Sequence, residues 1–421
     1  MIDELIVYLR DRRVGVLSQR DGRLAFFYDE EWLHAPERHP LSLSLPLREE
    51  PFADAATRTW FGNLLPEGDV LTAVARRLGR STGDIFGLLV DLGGECAGAV
   101  SLIPPGGEHS QQRHYEQLSD DELWTLASAG SPQPLLAGED GVRLSLAGAQ
   151  NKVPVFVDAT GIYKSIGALA TTHILKPPIR SAIPLPQTVE NEAFCMQLAK
   201  ELGLIVPRAE IRAIREQNFY LVERFDRQRQ GGRVVRLHQE DTCQALGIEA
   251  NLKYEESGGP GLAAIWELFR KYSAAPAADA RQLLRWISFN FLIGNADAHG
   301  KNLSLLYGSD GSVSLAPFYD LLCTACYPQL DLRLAMRIGR ERHPDRIRRR
   351  HWERLAEDLE ISPKPILQEL KRLTSVIEQK SAFLADNFRK NEGGSETIDA
   401  IQKIIRQRSS WAWAVLGGRP D

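Results

Sequence analysis

A strongly apolar helical run, Leu283 to Ile293, stops at Gly294 and gives way to a polar loop, Asn295 to Asn302. A tight hairpin follows, Leu303 to Tyr307 and Ser312 to Leu315 around Gly308 to Gly311, and Pro317-Phe318-Tyr319 then delivers Asp320. A helix that apolar has to be buried, so the polar loop hangs between a buried helix before it and a hairpin after it. Polar side chains placed that way point to chemistry.

Asp297 and Asn302 have the D-x-x-x-x-N spacing of a kinase catalytic loop, in which the acid takes a hydroxyl proton and the amide binds magnesium. Asp320 stands where a second magnesium ligand belongs. Phosphoryl transfer needs one thing more, a cation on the nucleotide phosphates. Lys176 ends the strand-like run His173 to Lys176, shares a face with Ile174 and can supply it, or it is a surface lysine at a strand end before Pro177. Glu192, in the first turn of a helix from Glu190 to Leu202, is a candidate partner for Lys176. Glu190 competes for that role, and either acid also suits the positive end of the helix dipole. Ser145 to Lys152 is a small-residue turn whose successive amides can cradle phosphates. It holds only Gly148, so it is neither a G-x-G-x-x-G loop nor a Walker motif, and spacing alone favours an ordinary hairpin.

The rest of the chain reads as strands first and helices later. Leu5 to Leu9, Val14 to Ser18 and Leu24 to Tyr28 form an antiparallel meander, with Asp21-Gly22 at one turn. Asp69 to Leu78 is an amphipathic helix, and Pro104-Pro105-Gly106-Gly107 marks a boundary. Val142 to Leu146, Val153 to Val157, Ile211 to Ile214 and Phe219 to Arg224 are further strands, after which the chain is expected to be mostly helical. Ile366, Leu370, Leu373, Ile377, Leu384 and Phe388 follow helical spacing, as do Ile398, Ile401 and Ile405. Three regions are expected: 1–105, 106–227 and 228–421.

Composition excludes several classes. At roughly 150 residues per domain, 421 residues suggest two or three domains, and 43% hydrophobic with 25% charged residues is an ordinary globular profile. Lys plus Arg numbers 51 against 55 acids, a net charge of -4, so no basic field covers the chain. A local one remains: Arg337 to Arg350 holds seven arginines against Glu341 and Asp345. With no aromatic residue interleaved to stack on bases, it reads first as a solvated face and second as a phosphate-binding patch. Met1 to Gly15 does not resemble a signal peptide, and no stretch approaches the ~18 apolar residues of a spanning helix, so a cytoplasmic chain without a membrane is expected. The five scattered cysteines suit reduced thiols, and Cys323 and Cys326 read as two half-buried thiols on a short helix rather than a metal or redox pair.

Several segments together resemble the HipA family, the serine/threonine kinase toxins of bacterial type II toxin–antitoxin modules. They are Ser145 to Lys152, Thr172 to Lys176, Val222 to Arg227, Gln239-Glu240-Asp241, Gly294 to Asn302 and Pro317 to Asp320, with Asn63 to Pro66 and Gly98 to Val100 in the first region. Asn295-Ala296 stands where ordinary protein kinases carry His-Arg, and Asp320 is followed by Leu-Leu rather than Phe-Gly. Both departures suit this family. The resemblance implies an α+β fold: a bilobal, protein-kinase-like body with an N-terminal, mainly antiparallel β module and a helical C-terminal lobe. It implies ATP and Mg2+ as cofactors, Asp297 as base, Asn302 and Asp320 on magnesium and Lys176 on the phosphates.

The same resemblance makes Ser145 a regulatory, autophosphorylated serine and Ala147, Gly148, Ala149, Gln150 and Lys152 a phosphate-binding turn. Glu223 to Phe225 become the hinge that meets adenine, and His299 and Lys301 help to place substrate or phosphate. Its implied partners are a HipB-like helix-turn-helix antitoxin, operator DNA through that antitoxin only, and a protein substrate such as an aminoacyl-tRNA synthetase. Two alternatives stand beside the kinase toxin: a corepressor in an antitoxin–operator complex, and a small-molecule kinase of the aminoglycoside phosphotransferase type, which gives no reason for the Ser145 loop.

Overall fold

The structure is a computed structural model and describes residues 2–107, 113–128, 142–148, 150–167, 169–179, 183–391 and 395–418. It divides into two compact units, one of residues 1–177, 213–251 and 305–313, the other of residues 178–212, 252–304 and 314–421. Strand-rich and helix-rich regions separate as the fold class requires.

In the first unit the predicted meander forms, as Glu4–Leu9, Arg12–Arg20 and Arg23–Tyr28, and Val100–Ile103 joins it beside Glu4–Leu9. Every pairing is antiparallel. Alternation puts Leu5, Val7, Leu17, Leu24 and Phe26 into a core closed by Trp60 and Phe61 of the helix Asp54–Gly62. Gly15 is required there, since a Cβ would lie 2.3 Å from the Phe27 carbonyl oxygen. A second antiparallel sheet places His114–Gln117, Ile162–Ile166, Val153–Val157, His173–Lys176 and Gln217–Glu223 side by side in that order.

One expectation is corrected. Val142 to Leu146 is not a strand: among the described residues it makes one isolated parallel bridge, Glu95 to Leu144. Its apolar residues divide between two cores, Leu146 in the first and Val142 and Leu144 in the second, so no sheet can claim the whole run. After Arg224 the chain is mostly helical, as expected, but it first adds strands the spacing did not mark: Arg227–Gln230 and Arg233–Arg236 form a hairpin and His238–Asp241 is a further strand. Gly231 and Gly232, both at positive φ, turn the hairpin.

The four-stranded sheet and the second sheet of the first unit are joined by a buried ion network. Arg224 donates to Glu95 at 3.0 Å and forks onto Asp226 at 2.9 and 3.0 Å, and Arg227 reaches Glu95 at 2.7 Å and Asp226 at 2.9 Å. Thr171 donates its amide and hydroxyl to Glu95, and the Gly98 amide donates to Asp226 at 2.7 Å. Burial alone would raise both carboxyls, yet the Arg224 and Arg227 charges outweigh it and hold Glu95 and Asp226 below the usual carboxylate range.

In the second unit the helix Pro276–Ile293 lies against Leu262–Tyr272, Pro363–Asn391 and Ser395–Leu416. Its Phe289, Phe291, Leu292 and Ile293 are buried, as are Leu370, Leu373, Ile377, Ile398, Ile401 and Ile405, the positions marked by helical spacing. No helix among the described residues is long and apolar enough to cross a membrane.

Asp226→Asn is expected to destabilise the fold by about 3–5 kcal/mol, because it leaves two buried guanidiniums short of a counter-charge. The network's contribution should be fully present above the ordinary carboxylate range and fall away as acid protonates Glu95 and Asp226. Denaturant midpoints measured from neutral to acid pH, for the natural chain and the variant, check both. Overlapping curves would refute the assignment.

Candidate active site

The catalytic-loop candidates lie in the second unit. Gly294 ends the long helix in the left-handed conformation, φ +73°, and its amide returns to Asn290 and Phe291. A Cβ there would meet Ala325 and Ile404 at 2.8 Å, so only glycine fits. Asn295 is buried; its amide donates to Asn290 Oδ1 at 2.8 Å and its own oxygen takes the Asp297 N–H at 3.1 Å. The Ala296 N–H donates to Thr324 Oγ1 at 2.7 Å. These bonds fix the loop so that Asp297 is the one exposed residue between Gly294 and Leu305. The Tyr254 hydroxyl donates to Asp297 Oδ1 at 2.7 Å and aims the carboxylate.

Asn302 and Asp320 come together, with Asn302 Nδ2 3.5 Å from Asp320 Oδ2. Tyr319 ties the intervening hairpin back, its hydroxyl bonding the Lys301 carbonyl at 2.7 Å and Ser304 Oγ at 2.6 Å. Asp320 has φ +53°, a left-handed conformation that aspartate tolerates better than most residues. One amide and one carboxylate are hard oxygen donors suited to magnesium, which takes its other ligands from phosphates and water. No cluster of three or more His, Cys, Asp or Glu able to hold a metal occurs among the described residues, so a dedicated all-protein cage is not what this donor set offers.

His299 and Lys301 are both buried. Burial, reinforced by Lys253, pushes the His299 imidazole down to about 3, so the ring is neutral near pH 7. Its ring packs perpendicular to that of Tyr254 with centroids 5.1 Å apart, and among the described residues Nδ1 has no hydrogen-bond partner.

The phosphate-loop candidates lie in the first unit. Ser145 is fully buried: its N–H donates to the Glu95 carbonyl at 2.9 Å and its hydroxyl to the Leu64 carbonyl at 2.7 Å. Gly148 bridges Pro66, accepts the Glu67 N–H at 3.0 Å and has φ +113°. A Cβ on it would sit 2.7 Å from Lys152 Nζ, which in turn donates to the Ala147 carbonyl. A glycine turn with a lysine folded over it is a cradle of the right character for a phosphate. Gln150 Nε2 reaches the Pro177 carbonyl at 3.5 Å, next to Lys176. Ala149 lies outside the described residues.

Lys176 is buried at its strand end, with its ammonium over the Tyr220 ring of the paired strand at 5.5 Å. Glu223 ends the strand Gln217–Glu223 and is exposed, Phe225 is half-buried, and the Arg224 N–H donates to the Thr172 carbonyl at 2.9 Å. Glu190 and Glu192 are both buried in the helix Thr188–Glu201, in the second unit.

Sequence reading missed Tyr254, Thr324 and Glu95. The first two touch the loop from segments without a motif, and Glu95 was hidden in a Gly-Gly-Glu-Cys stretch that looks like any turn. The arginine run is partly neutralised within its own unit, Arg342 by Glu256, Arg337 by Glu255 at 4.0 Å and Arg349 by Glu353 at 2.8 Å.

Comparison with known proteins bears on all of this. Residues 5–103 match the HipA N-terminal domain and residues 144–381 the HipA-like C-terminal domain. The chain is 42% identical over 391 residues to a Sinorhizobium fredii protein named as a kinase, covering 90% of this chain and 91% of that one. It is 31% identical over 400 residues to the serine/threonine-protein kinase toxin HipA of Shewanella oneidensis, covering 90% and 88%. A solved Shewanella oneidensis complex of HipA, HipB and operator DNA contains a chain that superposes with a TM-score of 0.83 at 28% identity, over 99% of this chain and 100% of that one. Both family domains are matched in order and the fold is shared end to end, so the chain belongs to the HipA family of kinases.

Proposed function

We propose that the protein is an ATP- and Mg2+-dependent serine/threonine kinase toxin that acts in the cytoplasm on a protein of the translation machinery, an aminoacyl-tRNA synthetase being the favoured class. The observation that carries the reading is Asp297, a lone exposed carboxylate on an otherwise buried loop, with Asn302 and Asp320 side by side after it. Tyr254 orients the carboxylate, and Asp297 takes the proton from the substrate hydroxyl. Asn302 and Asp320 would hold the magnesium, and Lys176 with the Ala147 to Lys152 turn would hold the nucleotide phosphates. Glu223 to Phe225 would meet the adenine. ATP supplies the transferable phosphoryl group. Neutral His299 adds no charge to the site and serves it by packing on Tyr254.

Asp297→Ala and Asp320→Ala are each expected to lower phosphoryl transfer by about a thousandfold or more with melting temperature little changed, as befits one lost base and one lost metal ligand. Radiolabel transfer from ATP with purified variants measures it, and near-natural turnover in either would refute the site.

Ser145 is proposed as the enzyme's own substrate and off-switch. Its hydroxyl is sequestered on the Leu64 carbonyl, so it can be phosphorylated only when the segment leaves that seat. A phosphate of about -1.5 to -2 charges cannot then return to a fully buried position against a carbonyl oxygen. The phosphate-binding turn that follows stays displaced and ATP affinity falls. Intact mass after incubation with ATP and magnesium should show one added phosphate, absent in both Ser145→Ala and Asp297→Ala. Undiminished incorporation in Ser145→Ala would end the idea.

The Shewanella oneidensis relative in complex with HipB and operator DNA supports a second proposal, that a HipB-like antitoxin binds this chain and carries it to DNA. Expression of the natural operon with a tag on this chain is expected to co-purify a small helix-turn-helix protein, and DNA retention should require it. Recovery of free chain alone would argue against the partnership.

A further inference from the structure

Three of the five cysteines gather round one amide in the second unit. Asn191 Oδ1 accepts the Cys323 N–H at 2.8 Å and the Cys195 thiol at 3.5 Å, while Nδ2 donates to the Cys323 carbonyl at 2.9 Å and to Cys326 Sγ at 3.2 Å. Cys195 and Cys323 are buried and Cys326 is only partly so. Hydrogen bonding from Cys323, and further from Tyr327 and Asn191, draws the Cys326 thiol below its usual range, whereas burial holds the Cys323 thiol up. Cys326 is therefore the accessible member and the more readily ionised one, and Cys323 the protected one beside it.

Cys323 caps, and Cys326 ends, the 310 turn Thr324–Cys326. Three residues along such a turn lie about 6 Å apart and on one face, inside the separation of about 4.4–6.8 Å that a disulfide spans. The two residues between them hold the catalytic loop: Thr324 Oγ1 accepts the Ala296 N–H at 2.7 Å and donates to the Gly294 carbonyl at 3.2 Å, and the Ala325 N–H donates to that same carbonyl at 3.0 Å.

We propose that Cys323 and Cys326 form a reversible disulfide when the protein meets hydrogen peroxide, and that closing it loosens the loop bearing Asp297. The Cys326 thiolate attacks the peroxide O–O bond, becoming a sulfenic acid and releasing hydroxide. The Cys323 sulfur then displaces that hydroxyl as water, its proton going with it, and the S–S bond forms. Two thiols are oxidised by two electrons and one peroxide is reduced. The two sulfurs already lie within hydrogen-bonding reach; drawing them to a covalent bond takes the Cys326 sulfur from Asn191 and from the Cys323 carbonyl, to which it donates at 3.0 Å, and the strain falls on the Thr324-Ala325 backbone between them.

The test treats the full chain with peroxide and measures three things. Intact mass should fall by about 2 Da and recover with dithiothreitol, with the bridge mapped to Cys323 and Cys326. Amide exchange across residues 294–302 should quicken in the oxidised form. Phosphoryl transfer should drop about tenfold or more and return on reduction, while Cys326→Ser and Cys326→Ala keep the reduced rate and resist peroxide. A Cys326 that gains oxygen without any bridged species, a bridge to Cys195, or a bridge with unchanged exchange at 294–302 would overturn the proposal. The rate arm rests on the kinase reading. A reduced chain without phosphoryl transfer would count against that reading alone, and mass and exchange would still decide this one.

Discussion

Glu95 is the residue on which the first unit depends. Its carboxylate holds Arg224, Arg227 and Thr171, while its backbone carbonyl receives the Ser145 N–H and its N–H bonds the Arg143 carbonyl. The end of the second sheet, the segment from Arg143 to Ser145 and the N-terminal module therefore meet at one residue with no exposure to water. A buried carboxylate is tolerable only because two guanidiniums face it, and those are tolerable only because Asp226 completes the square. The N-terminal module is thus bonded into the kinase sheet rather than strung beside it.

The second unit rests on a different constraint, hydrophobic rather than ionic. Phe289, Phe291, Leu292 and Ile293 anchor the helix, and Gly294 and Asn295 convert that anchorage into a fixed loop. Rigidity is inherited by Asp297 from atoms that take no part in the chemistry.

Much of this was legible in the sequence because its signals are local. Apolar spacing at Leu370, Leu373 and Ile377 marks a helix wherever it packs, and the interval from Asp297 to Asn302 survives any arrangement of the surroundings. Tyr254 and Thr324 were invisible for the opposite reason: they reach the loop from 43 and 28 positions away, and nothing in their own neighbourhoods records the encounter. Val142 to Leu146 misled because an apolar run declares that it is buried, not in which core. The hairpin from Arg227 to Arg236 was passed over although its Gly-Gly turn was in plain view, since charged residues on a two-stranded ribbon lack the apolar alternation by which strands are recognised.

That a single side chain of the catalytic loop reaches solvent bears on how such a gene can change. Between Gly294 and Leu305 every other residue is buried, so substitutions there disturb packing as well as whatever else the side chain does. At the exposed Asp297 a substitution costs little packing, so a change there would touch the proposed reaction and spare the fold. Loss of that activity and loss of the folded protein are thus separable events for a gene of this kind.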